Sequence, residues 1–306
     1  MREEVALVDR QVGVVSVSGA EAVDLLQGQL TNDIEALEPG RGTYAALLDR
    51  KAHVMADCRV LKIADQRLLL IAEPACAEVL LKHLDTYKIG RDVAVADDTP
   101  AWSLLSLIGP AAQVTIENAG GGRPSLGVEL TNAPVDLGDT KCVAISTPWG
   151  VDLLVPPGER EAVRRTLLDA GALAASEEAA EILRVEAGRP RFGAEITPQL
   201  MPAEAGIVER AIDFEKGCYL GQEPVARLHY KGRPNRVLRG LRLSAGAEAG
   251  DPLALDGRPV GEIGTACVSP ALGAIALAVI RREAEPGAEL ELGSGGTATV
   301  VELPFS

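Results

Sequence analysis

A segment of eight residues late in the chain combines groups that could support thiol chemistry. Gly217 and Gly221 flank Cys218, and Lys216 lies two residues before the cysteine. A nearby ammonium group lowers the pKa of a thiol and raises the fraction of nucleophilic thiolate. The glycines permit a tight loop and a close approach of the backbone to a ligand. The alternative interpretation is a buried cysteine that acts as a small hydrophobic residue.

A carboxylate, Asp57, lies within a predicted strand. Residues 53–63 alternate in polarity, which is typical of a half-buried strand. On such a strand Asp57 shares one face with Met55, Arg59 and Leu61, and this arrangement predicts a semi-buried carboxylate. The alternative is an ordinary ion pair with Arg59 on the face of the strand.

A second carboxylate, Glu186, breaks a local rule. Residues 176–187 are predicted to form a helix that ends before Gly188 and Pro190. In the last turn of a helix the macrodipole disfavours negative charge by ~0.3–1 kcal/mol. Departures of this kind concentrate at functional sites. The alternative is an exposed glutamate paired with Arg189.

One basic segment stands out from an acidic chain. The sequence has 30 Lys and Arg against 44 Asp and Glu, a net charge of −14. Residues 227–242 nevertheless contain no Asp or Glu, and the segment could bind a phosphate or an acidic protein. It could equally be a solvated charged loop. Its basic residues are Arg227, Lys231, Arg233, Arg236, Arg239 and Arg242.

Composition excludes several classes of function. The net charge repels nucleic-acid backbones and anionic lipid, so direct nucleic-acid binding is not expected. Only nine residues are aromatic, too few for a base-stacking platform. The longest apolar stretch, Ala271–Ile280, is half the ~20 residues that a membrane span requires. The N-terminal residues have no pattern typical of an export signal. We therefore expect a cytoplasmic protein without membrane contact.

The cysteines and histidines do not predict a metal site. Five cysteines are widely spaced, without a CxxC pair, and His53, His83 and His229 are isolated. We expect reduced thiols and no bound metal. Motifs for nucleotide binding are also absent.

The pattern of elements predicts an α+β fold with an internal duplication. Strand, turn, strand and helix occur once between residues 53 and 87 and again between residues 142 and 170. Two such units indicate antiparallel sheets covered by helices on one face. A capping-box spacing from Ser18 to Glu21 predicts a helix that starts at Ser18, and residues 118–126 read as a loop.

From about residue 236 the chain changes in character. Short apolar runs alternate with Gly, Pro and Asp turns, which predicts a small β-barrel or sandwich over residues 236–304. We therefore divide the chain into a region of residues 1–235, containing two α+β subdomains that could interleave in sequence, and a C-terminal domain of residues 236–306.

The eight-residue segment resembles a known family signature. Together with Val225 and Arg227, it is similar to the KGCYxGQE motif of the folate-binding YgfZ-type proteins, which are related to the glycine cleavage T-protein, an aminomethyltransferase. Four weaker resemblances occur in the family's order along the chain, at residues 26–33, 44–57, 183–188 and 197–206. The segment itself reads Lys216-Gly217-Cys218-Tyr219-Leu220-Gly221-Gln222-Glu223.

The resemblance implies a fold, a cofactor and a set of site residues. It implies domains around a central channel that holds tetrahydrofolate or a derivative, followed by a C-terminal barrel. Asp57 would lie near the reactive nitrogens, Glu186 would bind the pterin, and Tyr44 and Arg227 would contribute to folate binding. The glutamate tail of folate is a further possible target of the basic segment. Cys218 would supply a surface thiol. T-proteins carry two adjacent carboxylates at the position of Asp57, whereas this chain has Ala56 beside it.

Three functions follow from these observations. The first is a tetrahydrofolate-binding accessory protein of the YgfZ type, which supports iron–sulfur cluster assembly or repair in client enzymes, including tRNA-modifying ones. The alternative is a tetrahydrofolate-dependent aminomethyltransferase of the glycine cleavage type. A third interpretation treats the basic segment as a docking surface for tRNA or protein on an inert scaffold.

Overall fold

A computed structural model describes residues 4–305, which divide into two compact units. The first unit runs from the first described residues to Leu47 and adds Ala56–Glu177 and Glu215–Leu220. The second unit contains Leu48–Met55, Glu178–Phe214 and the chain from Gly221 onward. Both units are therefore assembled from separated stretches of sequence.

The first unit contains a five-stranded sheet with the order β3-β4-β5-β2-β6, in which β4, β5, β2 and β6 pair antiparallel. The predicted hairpin of residues 53–72 is observed as β4 and β5, and the helix after it begins at a proline, which is favoured in a first helical turn. The elements are β2 (Gly13–Ser18), α1 (Ala22–Gln29), β3 (Arg41–Leu48), β4 (Val54–Ala64), β5 (Arg67–Ala72), α2 (Pro74–Tyr87) and β6 (Ala94–Asp97).

A six-stranded sheet with the order β11-β1-β7-β10-β9-β8 forms the rest of this unit. The predicted second hairpin corresponds to β9 and β10. The elements are β1 (Ala6–Arg10), β7 (Ser103–Ile108), α3 (Ala112–Ile116), β8 (Asn132–Leu137), β9 (Thr140–Thr147), β10 (Gly150–Val155), α4 (Arg160–Asp169) and β11 (Leu173–Ala174).

The two sheets repeat one strand order, which confirms the predicted duplication. Reading β3-β4-β5-β2-β6 against β8-β9-β10-β7-β1 matches every strand of the first sheet with one of the second. Each half begins with a strand, a glycine turn and a helix, and each continues through a hairpin into a second helix. The two sheets share a core that includes Leu69 and Ile71 on one side and Leu104 and Leu154 on the other.

The prediction that a helix starts at Ser18 is wrong. Ser18 is the last residue of β2, and α1 begins four residues later at Ala22. Gly19 between them has a φ of +121°, and a Cβ there would lie 2.2 Å from the carbonyl oxygen of Asp92. The Glu21 carboxylate accepts the Asp92 N–H at 2.6 Å, so the presumed capping residue serves a tertiary contact.

The loop predicted over residues 118–126 is partly helical. A π-helical turn, Glu117–Gly121, continues directly from α3, and irregular chain follows it. Gly121 packs against Val135 and Leu137, so a Cβ there would lie 2.8 Å from either side chain. The glycines that signal a loop in the sequence therefore also serve packing.

The second unit contains three helices among its described residues and a closed barrel. The barrel has the order β12-β15-β14-β13-β16-β17, which confirms the predicted small barrel, and its interior includes Leu253, Ile263 and Leu290. The elements are α5 (Glu177–Glu186), α6 (Val208–Ala211), α7 (Gln222–Lys231), β12 (Arg236–Leu243), β13 (Pro252–Leu255), β14 (Arg258–Ser269), β15 (Gly273–Arg281), β16 (Glu289–Leu292) and β17 (Thr297–Val301).

Among residues 4–305, every helix is too short or too polar to span a lipid bilayer.

Candidate functional site

Asp57 lies on β4 as the alternation of the sequence predicts. Met55, Asp57 and Arg59 are partly exposed, whereas Ala56 and Cys58 are buried on the opposite face. The carboxylate is therefore held at the edge between the core and an accessible surface. Ala56, the residue where T-proteins carry a second carboxylate, lies on the core side of the strand.

Two side chains contact the oxygens of Asp57. The Tyr44 hydroxyl on β3 donates to Oδ2 at 2.5 Å. The Cys76 thiol in the first turn of α2 lies 3.5 Å from Oδ1 and donates to it. Both carboxylate oxygens thus have a partner that fixes the side chain. Cys76 was not predicted, because nothing in a separation of 19 residues indicates a contact between a strand and a helix.

Burial keeps the Cys76 partner protonated. Its side chain is fully buried, and burial, reinforced by the charge of Asp57, raises the pKa of the Cys76 thiol far above its usual value. A neutral thiol is a hydrogen-bond donor, which fits its contact with the Asp57 carboxylate.

Arg59 does not serve as the partner of Asp57. Its guanidinium pairs with Asp152 of β10 at 2.5 Å, and the other oxygen of Asp152 accepts the Ser106 hydroxyl at 2.6 Å. The strand-face ion pair proposed as the alternative role of Asp57 is therefore replaced by an ion pair between the two sheets.

Lys216 has a structural role that the sequence did not indicate. The residue is buried, and its ammonium donates to the carbonyl oxygens of Gln27 (2.7 Å), Leu30 (2.7 Å) and Asn32 (2.9 Å). These carbonyls lie at and just beyond the C-terminal end of α1, where the macrodipole favours a cation. Each of the three N–H groups has a carbonyl partner, so the ammonium is committed to the backbone rather than to a thiolate at Cys218.

The residues after Lys216 divide between surface and core. Gly217 and Cys218 are exposed, and Cys218 is a free thiol. Tyr219 is buried, which raises its pKa to about 12, and the Lys216 ammonium lies 5.2 Å from the centre of its ring. Lys216 and Tyr219 therefore anchor a loop that presents Cys218 to solvent, and the interpretation of Cys218 as a buried hydrophobic residue is wrong.

The end of the signature segment begins a helix. Gly221 has a φ of +83°, and a Cβ there would lie 2.6 Å from the Asp49 carbonyl oxygen. Gln222 and Glu223 open α7, where the acidic Glu223 complements the helix N-terminus. Arg227 is exposed on the same helix.

Glu186 lies in the last turn of α5, as predicted; it is the last residue of that helix and is half-buried. The Ser269 hydroxyl donates to Oε1 at 2.5 Å, and Glu186 thus contacts β14 rather than pairing with Arg189. Burial, reinforced by the Glu186 charge, raises the pKa of the nearby Cys267 thiol to about 11. In the part of the chain that the structure describes, Oε2 has no protein partner.

A buried network positions α5 next to the barrel strand β14. The Arg184 guanidinium donates to Glu181 (2.6 Å), Glu195 (3.0 Å) and the Thr265 hydroxyl (2.8 Å). Glu195 is 2% exposed, so its charge requires this partner. The network was not predicted, although the spacing of Glu181 and Arg184 on one helix face was an available signal.

Each histidine has a local partner. His53 contacts Asp49 at 3.1 Å, His83 contacts Gln29 at 2.8 Å, and His229 stacks on Phe214 with ring centres 4.0 Å apart. These contacts explain the histidines as polar and stacking residues of their own units.

The donor chemistry fits a reduced folate. The Glu186 carboxylate, which has one donor on Oε1 from Ser269, can still accept paired hydrogen bonds from an amino group and an adjacent ring N–H, the donor pattern of a pterin edge. Asp57 is a supported carboxylate on the accessible face of β4. The two carboxylates belong to different units.

Comparison with known families assigns most of the chain to two family domains. Residues 1–216 match the GCVT N-terminal domain, and residues 236–306 match the glycine cleavage T-protein C-terminal barrel domain. An aminomethyltransferase of Streptomyces avermitilis is 30% identical, with 100% of this chain and 87% of the relative covered. An aminomethyltransferase of Rubrobacter xylanophilus is 29% identical, with 96% of this chain and 81% of the relative covered.

A solved structure has the same fold. The glycine cleavage system aminomethyltransferase T from Bartonella henselae superposes with a TM-score of 0.88 at 24% identity, covering 100% of this chain and 87% of that one. Both family domains occur here in the expected order, and the curated relatives align over nearly the whole chain. The chain belongs to the glycine cleavage T-protein family.

Proposed function

We propose that the protein binds tetrahydrofolate or a one-carbon derivative of it. The proposal is supported by family membership and by Glu186, whose Oε2 is available while Ser269 holds Oε1. In the proposed complex Glu186 accepts hydrogen bonds from the pterin edge, and Tyr44 and Arg227 contribute to folate binding. Bound tetrahydrofolate supplies ring and side-chain amines that carry a one-carbon unit.

The first candidate activity is aminomethyl transfer to tetrahydrofolate, which is what the names of the relatives favour. The observation that carries it is the supported carboxylate of Asp57, with Tyr44 on one oxygen and Cys76 on the other. A carboxylate fixed in this way can accept or hold a proton without reorienting. Asp57 is then the catalytic residue.

The test is an assay with an aminomethyl-lipoyl carrier protein and tetrahydrofolate. Release of ammonia and formation of methylenetetrahydrofolate would establish the activity, and Asp57→Asn should reduce the rate at least ~100-fold. Complete inactivity of the folded wild type, under conditions in which an authentic T-protein works, would remove this candidate.

The second candidate is an accessory role of the YgfZ type in iron–sulfur cluster assembly or repair. A specific observation favours it, because Cys218 is an exposed thiol on a loop that the buried Lys216 and Tyr219 anchor. Ala56 adds support, since the second carboxylate of T-proteins is missing. In this proposal the partners are folate and client iron–sulfur enzymes of the cytoplasm, including tRNA-modifying ones, with no direct contact to nucleic acid or membrane.

Complementation separates the two candidates. Cys218→Ser should fold and bind tetrahydrofolate like the wild type, because the side chain is exposed, yet it should fail to restore client iron–sulfur enzymes in cells that lack the protein. Full restoration by the serine variant would contradict the role of the thiol.

A further inference from the structure

We propose that the second unit carries a binding site for a phosphate monoester at the end of the β12–β15 ladder. A cavity of about 580 Å³ opens there, and three arginines, Arg236, Arg281 and Arg282, line it together with Asn235 and Gln199. All of these residues belong to the second unit. Neither Asp57 nor Glu186 lines this cavity.

Strand pairing brings two of the arginines together. Arg236 of β12 is the direct antiparallel partner of Arg281 of β15. Like charges directly opposite each other on a sheet are destabilising. The Arg282 N–H donates to the Asn235 carbonyl oxygen at 3.1 Å, which fixes the end of the ladder and holds the third arginine beside the pair. Strand pairing thus holds these like charges together at a cost in stability, which a bound anion would reduce.

Local carboxylates do not neutralise the cluster. Among the described residues, Arg236 and Arg282 have no ion-pair partner, and Arg281 reaches Glu283 only at 4.0 Å, with both side chains more than half exposed. The other acidic residue of the wall, Glu204, accepts the Met201 N–H at 3.1 Å. The cavity wall thus carries three guanidinium groups against two carboxylates, an excess of positive charge in a chain whose net charge is −14.

The donor set determines the class of ligand. Guanidinium groups present forked N–H donors that match the oxygens of phosphate, and three of them supply more donors than a single carboxylate can accept. Arg236 and Arg281 also line a second cavity of about 730 Å³, whose wall includes Val260, Ile263 and Gly264 and the carboxylates of Glu195 and Glu262. This second cavity gives room for an organic group attached to the phosphate.

The test uses titration calorimetry of the full chain at low ionic strength, with inorganic phosphate and with glycerol 3-phosphate as probes. Saturable binding by the wild type is expected, and Arg236→Gln or Arg281→Gln should weaken it at least ~10-fold, because each removes a charge-assisted donor pair. Arg233→Gln is the matched control, since Arg233 is an exposed arginine of the same basic segment that does not line the first cavity. Tighter binding of glycerol 3-phosphate than of phosphate would assign the second cavity to the organic group.

Melting temperatures distinguish a loss of phosphate binding from misfolding of a variant. Without ligand, Arg236→Gln should melt at the same temperature as the wild type or slightly higher, because it relieves the repulsion with Arg281. Phosphate should raise the melting temperature of the wild type and of Arg233→Gln, but not that of Arg236→Gln.

Three results would overturn the proposal. One is the absence of saturable phosphate binding by folded wild type. Another is an equal loss in Arg233→Gln, which would show diffuse attraction to the basic segment. The third is loss of tetrahydrofolate binding in Arg236→Gln, which would assign these arginines to the folate and leave the folate proposal itself standing.

Discussion

The two halves of the first unit share a fold but differ at the position of the proposed catalytic carboxylate. The two hairpins can be aligned residue by residue through the next-to-last residue of their second strands. In the first half Ile71 pairs with Arg59, and in the second half Leu154 pairs with Val143. Two residues before these partners stand Asp57 in the first half and Lys141 in the second. The supported carboxylate of the first half therefore corresponds to an exposed lysine in the second.

The neighbouring core position behaves differently. By the same register Cys58 corresponds to Cys142, and both are buried. Residues that face the core have thus kept their character in both halves, while the accessible face carries a carboxylate in only one of them. The sheet topology alone does not distinguish the two halves, and the proposal of a site in the first half rests on its side chains.

The largest expected effect tests whether the halves are built alike. Gly19 and Gly109 occupy the same turn in the two halves, with φ values of +121° and +141°, and an added Cβ would lie 2.2 Å and 2.4 Å from a carbonyl oxygen. Gly19→Ala and Gly109→Ala should each lower the free energy of unfolding by about 4 kcal/mol or more, measured by urea denaturation.

The matched control is Gly158→Ala, whose added Cβ meets no atom within 4 Å and whose φ is not positive. This variant should gain ~0.4–1 kcal/mol. A large loss for only one of the two turn glycines would show that the turns are not equivalent.

The second prediction concerns the way each half ends its first helix. Lys216 caps α1 through three carbonyl oxygens, whereas α3 continues into a π-helical turn. Lys216→Met should lower the free energy of unfolding by at least about 3 kcal/mol, because three buried carbonyls lose charge-assisted hydrogen bonds. Lys231→Met, at an exposed lysine, should change it by less than about 0.5 kcal/mol. Equal effects in chemical denaturation would contradict the capping role.

The third prediction compares the two halves in function. Asp57→Asn should reduce the folate-dependent activity at least ~100-fold and leave stability nearly unchanged, because asparagine can keep the contact with Tyr44. Lys141→Gln, at the corresponding position, should leave activity at the wild-type level. A steady-state assay of both variants decides this, and a comparable loss in Lys141→Gln would place the chemistry elsewhere.

The smallest effect concerns the shared buried cysteine. Burial, assisted by Asp136, raises the pKa of the Cys142 thiol from 9.0 to about 11. The unfolded chain then loses this proton before the folded chain does, so stability falls as the pH rises from about 9 towards 11. Melting temperatures across this range should decline less steeply for Cys142→Ala than for the wild type. An identical slope would show that this thiol does not titrate as its burial implies.

Local patterns in the sequence predicted much of the fold. Three of these patterns depend only on neighbouring residues: the polarity alternation of β4, the proline at the start of α2 and the change to short apolar runs near Arg236. Each element is observed where it was expected. The capping box failed because Glu21 contacts Asp92, far along the chain.

The site was predicted only in part, for the same physical reason. Asp57 became a candidate through the family resemblance, and Glu186 through its unfavourable position in the last turn of a helix. Three contacts could not be predicted, because each joins chain segments that come together only in the fold. They are the contact of Cys76 with Asp57, the carbonyl partners of Lys216 and the pairing of Arg236 with Arg281. Spacing along one sequence carries no signal for such contacts.

The most direct test of the central proposal is anaerobic titration calorimetry with tetrahydrofolate. Wild type and Lys141→Gln should bind saturably at one site per chain, and Glu186→Ala should lose at least ~10-fold in affinity, because a charged hydrogen-bond acceptor is removed. Circular dichroism would confirm that each variant is folded. Absence of saturable binding by folded wild type would contradict the folate proposal, and unchanged affinity in Glu186→Ala would contradict the role of that carboxylate.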